Sequence, residues 1–178
     1  MRIMDFLELA KKRYSVRNFD TKQVEQEKVD LILEAGRLAP TACNNQPQRI
    51  LVLNTKEDMD KLKVCTPFTF DAPLALIVCY DKITSWKRTF DNQDMGIVDA
   101  SIVATHIILE AANLGLGSTW VGHFDPEKAK TAFFMPENIV PVVVLPIGYL
   151  NEISIPNPNH NKRFDLAKTV VHNTFNTQ

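Results

Sequence analysis

Two guanidinium groups and a hydroxyl recur at two-residue steps in Arg13-Tyr14-Ser15-Val16-Arg17. If this segment is extended, Arg13, Ser15 and Arg17 face the same way, because a strand alternates its side chains. Such a trio suits a phosphate: each arginine offers a forked, charge-assisted pair of donors, and serine adds one more. The alternative is a solvated basic helix end that complements the macrodipole, since Lys11 and Lys12 come just before. Lys162-Arg163 is a second source of positive charge, or else part of a solvated tail.

Two further segments suit a flat ligand. Between Pro40 and Pro47, Asn44 and Gln46 carry amides that both donate and accept, matching the carbonyl and imide edges of a heterocycle. Loops rich in asparagine between prolines also occur as plain turns. Gly115-Leu116-Gly117-Ser118-Thr119-Trp120-Val121-Gly122 offers bare backbone against which a ligand could lie, or a helix cap followed by a turn. It is not a dinucleotide fingerprint, because Trp120 stands where the third glycine belongs and the glycines close a helix instead of opening one. His106, His123, His160 and His172 have no metal-ligand spacing, and no GxSxG elbow is present. His106, within an apolar helix, reads as an interior or interface residue. Asp91 and Asp94 read as the solvated approach to that helix, with Asp99 on its first turns.

These segments need a scaffold. Met4, Leu7, Ala10 and Tyr14 form a helical stripe over Asp5 to Tyr14, with Asp5 and Glu8 resembling a capping pair. A second helix is expected from Gln26 to Ala39, stopping before Pro40. Arg49 to Asn54 reads as a strand, Thr55 and Asp58 as the start of a helix ending near Val64, and the apolar run Leu74 to Tyr80 as a strand buried on both faces. Met95 to Leu114 is the longest helix, apolar on more than one face and so destined for a core or a second subunit. Ser118 to Val121 is a short strand, and Asp125-Pro126 caps a helix reaching Phe133. Val140 to Tyr149 is a strand whose Pro141 and Pro146 predict an edge or a bulge. Leu166, Val170 and Val171 close the chain in a segment that needs something to pack on. Helices lead and strands are few, which favours α+β over a doubly wound sheet.

The 178 residues fit one domain, 1–178. With 20 basic and 21 acidic residues the net charge is -1, so no global field attracts nucleic acid or an anionic membrane, and any anion site must be local. Charges interrupt the N-terminal stretch where a leader would need an apolar core, and no uninterrupted apolar run is long enough to span a bilayer. Cys43, Cys65 and Cys79 lack disulfide or metal spacing and read as free thiols in a reducing cytoplasm.

Taken in order, Arg13 to Phe19, Ala39 to Pro47, the long helix running into Gly115 to Gly122, and the basic pair before the terminal segment resemble the nitroreductase family of FMN-dependent oxidoreductases. The resemblance covers nearly the whole chain. It implies a three-layer α/β/α sandwich around a mostly antiparallel sheet, assembled as an intertwined homodimer with FMN in two equivalent interface sites. Arg13, Tyr14, Ser15 and Arg17 would then hold the phosphate and ribityl end, helped by Lys162 or Arg163. Pro40, Thr41, Ala42, Asn44 and Gln46 would line the isoalloxazine, some of them from the other subunit. Trp120, Val121 and Gly122 would run beside the ring and bring a backbone N–H near N5. One departure is Gln48, where relatives often carry an aromatic residue.

The resemblance also implies a ping-pong cycle: hydride passes from NADH or NADPH to the flavin, then electrons pass to a nitroaromatic, quinone or similar flat acceptor. No side-chain acid, base, nucleophile or metal is called for, because the cofactor carries the chemistry. Relatives with other flavin chemistry (flavin reduction or fragmentation, dehalogenation, heterocycle oxidation) and a non-enzymatic redox sensor are the alternatives. Pro67 to Asp71 and Ser85 to Asn92 are the segments expected around the acceptor slot.

Overall fold

The predicted apolar strand extends by one residue to Leu74–Asp81, and all its side chains except Tyr80 are buried. Burial on both faces requires a layer on each side. The computed structural model, which describes residues 5–175, contains both layers. In chain order the elements are α1 (Phe6–Lys12), α2 (Gln26–Arg37), β1 (Gln48–Leu53), α3 (Lys56–Cys65), β2 (Leu74–Asp81), α4 (Gly96–Asn113), β3 (Gly117–Ser118), α5 (Pro126–Ala132), β4 (Ile139–Gly148) and α6 (Leu166–Thr169). Short 3-10 turns occur at Ala42–Asn44 and Pro158–Asn161.

The sheet order is β1-β2-β4-β3, with every strand pair antiparallel. Along β2, Leu74, Leu76 and Val78 meet α2 and α4 through Ile32, Val103 and Ile107. The alternate residues Ala75, Ile77 and Cys79 meet α3 and α5 through Met59, Leu62 and Ala129. The strand period of two thus sorts one apolar run into two cores, giving the expected α+β three-layer sandwich.

Local signals account for most of the boundaries. Thr55 accepts the Asp58 N–H and donates to the Asp58 carboxylate at 2.6 Å, capping α3. Asp125 accepts from the N–H groups of Glu127 and Lys128 ahead of α5, with Pro126 at the first helical position. The end of α4 is a Schellman turn: Gly115 is left-handed (φ 77°), its N–H donates to Ala112, and Leu116 donates to Ala111 at 2.8 Å.

Some expectations are corrected. α1 stops at Lys12 because Arg13 is already extended, and Asp5 makes no side-chain cap bond. Of its apolar stripe, Met4 lies outside the described residues and Leu7 is exposed, and no residue of α1 is fully buried, Leu9 being half-buried. α2 ends at Arg37, short of Ala39. For β4 the prolines predict an edge or a bulge, and the bulge is found in an interior strand. Its prolines are tolerated because the β2–β4 register shifts at Val78/Cys79, opposite Pro141, and because Pro146 lies just past the two-residue β3, where only its carbonyl is used, by the Thr119 N–H.

By length and composition α4, with a mean hydropathy of 1.2, could cross a membrane. Here it is a core helix lying on the sheet, with Ala100, Val103, Ala104, Ile107 and Ala111 fully buried. His106 on this helix is half-buried, its Nδ1 2.9 Å from the Ile102 carbonyl. The outer side of α4 leaves Ile97 and Val98 exposed, as are Phe6, Ile155, Phe164 and Leu166 towards the chain ends.

Candidate functional site

After α1 the chain is extended, and Val16 anchors it. Val16 is buried, its N–H donates to the Ser118 carbonyl at 3.0 Å, and its carbonyl accepts the Thr119 hydroxyl. A parallel bridge joins Ser15 to Ser118. With Val16 turned inward, Arg13, Tyr14, Ser15 and Arg17 line a cavity of about 330 Å³, and the C-terminal segment closes it with Asn157, Asn159, His160 and Arg163.

Three arginines and no carboxylate line this cavity. Burial, and after it the charge of Arg163, hold Arg13 below its ordinary pKa. Cations drawn together in a partly desolvated place are satisfied by an anion. Arg163 is oriented by its bonds to the carbonyls of His160 (2.6 Å) and Lys162 (2.8 Å). Lys162 is not among the lining residues. Tyr14 donates to the Ser154 carbonyl at 3.0 Å, and its ring meets His160 edge-on at 6.0 Å. Sequence reasoning missed Asn157, Asn159 and His160, which look like any polar turn.

Beyond Ser118 the chain runs alongside β4. Thr119 and Val121 donate their N–H groups to the carbonyls of Pro146 and Val144, so the alternate N–H groups of Trp120 and Gly122 face away from that strand. Val121 is buried, and Trp120 is 40% exposed. A Cβ on Gly122 would meet nothing within 4 Å, and its φ is not left-handed. Neither packing nor conformation within the chain therefore calls for glycine here; a flat molecule lying on the backbone would. One residue on, the His123 ring stands edge-on to Phe68 at 5.5 Å. This pairing brings part of the predicted Pro67 to Asp71 segment beside the strand.

The Pro40 to Pro47 loop lies elsewhere. Cys43, Asn44 and Gln46 are all left-handed (φ 51°, 54° and 50°). That conformation costs a residue other than glycine about 1–2 kcal/mol, less for asparagine. The Ala42 N–H donates to Asp99 Oδ1 at 2.9 Å, which ties the loop to the first turn of α4. The glycines that lead to Trp120 follow the other end of α4. Its 18 residues rise about 27 Å, so one chain brings Arg13, Tyr14, Ser15, Arg17 and Arg163 together but does not bring Pro40, Thr41, Ala42, Asn44 and Gln46 to them.

The sequence model of the Nitroreductase family matches residues 10–65 and 59–149. The chain belongs to the nitroreductase family. A solved nitroreductase family protein from Clostridium difficile is 42% identical, with 97% of this chain and 100% of that one covered at a TM-score of 0.91. An FMN-dependent nitroreductase, also from Clostridium difficile, is 29% identical over 96% and 100% of the two chains, with a TM-score of 0.81. A curated relative from Methanothermobacter thermautotrophicus is 34% identical over 91% of this chain and 84% of its own length; its assignment as an NADH dehydrogenase/NAD(P)H nitroreductase is provisional. Within this nitroreductase-family chain, Gln48 has a visible consequence. Its Oε1 is buried with no partner among the described residues, a polar atom where an aromatic ring would have needed none.

Proposed function

We propose that the chain, as one domain of residues 1–178, is an NAD(P)H-dependent FMN oxidoreductase that works as a homodimer with shared cofactor sites. The observation that carries this reading is the acid-free, three-arginine cavity, joined through the Ser15–Ser118 bridge to the open backbone at Gly122. An anion next to a place for a flat ring matches the two ends of FMN. The FMN dependence of the 29% identical relative and the nitroreductase names of the others support the same cofactor and donor.

Arg13, Arg17 and Arg163 neutralise the phosphate, with Ser15 and Tyr14 beside them and Lys162 adjacent. Trp120, Val121 and Gly122 form a bare backbone edge along the ring and keep N–H donors turned towards it. FMN, when bound, would supply the redox chemistry between NADH or NADPH and a nitroaromatic, a quinone or another flat acceptor, in a ping-pong cycle. Phe68 and His123 wall the slot in which donor and acceptor alternate. Pro40, Thr41, Ala42, Asn44 and Gln46 serve the site of the second copy, because α4 holds them too far from the cavity of their own chain. The second copy also covers the apolar outer side of α4 at Ile97 and Val98.

Purified protein is expected to be yellow, to hold one FMN per chain, and to bleach anaerobically with NADH or NADPH and recover on adding a quinone or nitroaromatic. A colourless protein that takes up no added FMN overturns the cofactor assignment. A yellow protein that neither nicotinamide bleaches overturns the donor.

A further inference from the structure

Asp99 is 2% exposed in the first turn of α4, next to the fully buried Ala100. A buried carboxylate is costly unless its oxygens find donors. Only one does: Oδ1 accepts the Ala42 N–H at 2.9 Å, while Oδ2 has no partner among the described residues. The positive end of α4 reduces the penalty but gives no reason for an acid where alanine would pack without one.

The reason lies across that bond. Left-handed residues other than glycine persist only where their surroundings over-determine them, and the loop has three, at Cys43, Asn44 and Gln46. The bonds from the Asn44 N–H to the Thr41 carbonyl and from the Gln46 N–H to Thr41 Oγ1 are internal to the loop. They give it a shape, and its far end is placed by the Asn45 amide, which donates to the Thr84 carbonyl at 3.1 Å, and by the Pro47 carbonyl, which accepts the Asp81 N–H. The Ala42–Asp99 bond is its tie to the core helix, and a charge-assisted one.

We infer that Asp99 is a positioning residue, whose carboxylate acts through the Ala42 N–H to hold the strained Thr41–Gln46 backbone so that Asn44 and Gln46 face the flavin of the second copy. The inference rests on the FMN reading above.

The test is FMN titration of the folded apo-protein by flavin fluorescence, for wild type and three variants. Asp99→Leu removes the acceptor and Asp99→Asn keeps it. Ala42→Pro removes the donor and leaves Asp99 in place, at the first position of the 3-10 turn, where proline fits, after Thr41, which is already extended. Asp99→Leu and Ala42→Pro are each expected to weaken FMN binding about tenfold, the value of one hydrogen bond. Asp99→Asn should stay within about threefold of wild type, since the neutral bond survives. A residue that matters only for folding would lower the unfolding temperature and leave the affinity of the folded fraction unchanged.

Wild-type affinity in folded Asp99→Leu or Ala42→Pro overturns the inference, as does an equal loss in Asp99→Asn and Asp99→Leu. Should Asp99→Leu not fold, Ala42→Pro and Asp99→Asn decide. Wild-type protein that takes no FMN overturns the flavin reading itself, a result distinct from variants that bind as well as wild type.

Discussion

Gly117 and Val16 lie so close that a Cβ on the glycine would fall 2.7 Å from Val16 Cγ2 and 2.8 Å from its Cβ. Val16 is β-branched and held by its backbone bonds, so it cannot turn aside. Gly117→Ala is therefore expected to destabilise the fold by about 1–3 kcal/mol, as overpacking does, and to loosen the Arg13 to Arg17 segment. Denaturant unfolding of the apo-protein and FMN titration of the folded fraction should both register the change. An alanine variant equal to wild type in both would mean that the two strands do not meet this closely.

The basic cavity separates two neighbouring residues. Arg163 lines it and Lys162 does not. Arg163→Ala should weaken FMN binding about tenfold or more, in keeping with about 1.5–3 kcal/mol for a hydrogen bond to a charged group, whereas Lys162→Ala should have little effect. Arg13→Ala combined with Arg17→Ala should release the cofactor. Equilibrium dialysis measures all three, and undiminished flavin in the double variant would remove the phosphate assignment.

Much of this architecture follows from local chemistry. The caps at Thr55 and Asp125, the two-sided burial of β2 and the glycine end of α4 each rest on a few neighbouring residues. Other features depend on contacts distant in sequence. The prolines of β4 leave an edge and a bulge open, and the bulge that admits Pro141 is a property of the β2–β4 pair. Asp99 resembles any acid near a helix start until the loop 57 residues away donates to it. Asn157 and His160 become part of a site only through the return of the C-terminal segment. The basic segment and the amide loop were legible as chemistry, but their separation along α4 was not.

The three thiols should differ sharply. Cys43 is exposed, while Cys65 and Cys79 are buried. Burial pushes Cys79 up to about 12 and raises Cys65 as well, leaving little thiolate on either at neutral pH. A thiol-specific reagent at pH 8 should label Cys43 quickly in native protein and all three after unfolding. Fast native labelling of Cys79 would contradict its place in the core.

Glu25 should make stability depend on acid. Hydrogen bonds from Lys22 first, then from Tyr149, lower its pKa from the ordinary 4.5 to about 2. A carboxylate whose pKa falls on folding stabilises fully above the unfolded value, and the benefit is lost as pH drops through the folded one. The advantage of wild type over Glu25→Gln should thus hold above pH 4.5 and fade towards pH 2. Because Glu25 is exposed the effect is small, and NMR titration of its carboxyl carbon is the more direct measurement.

The bond from Thr119 to Val16 joins residues 103 positions apart. Closing so long a loop is slow and is achieved only once the intervening chain is ordered. During synthesis the arginines emerge first, yet they have no platform until Thr119 has left the ribosome, and no opposite wall until Arg163 follows. The basic segment is therefore ordered only by parts of the chain made long after it.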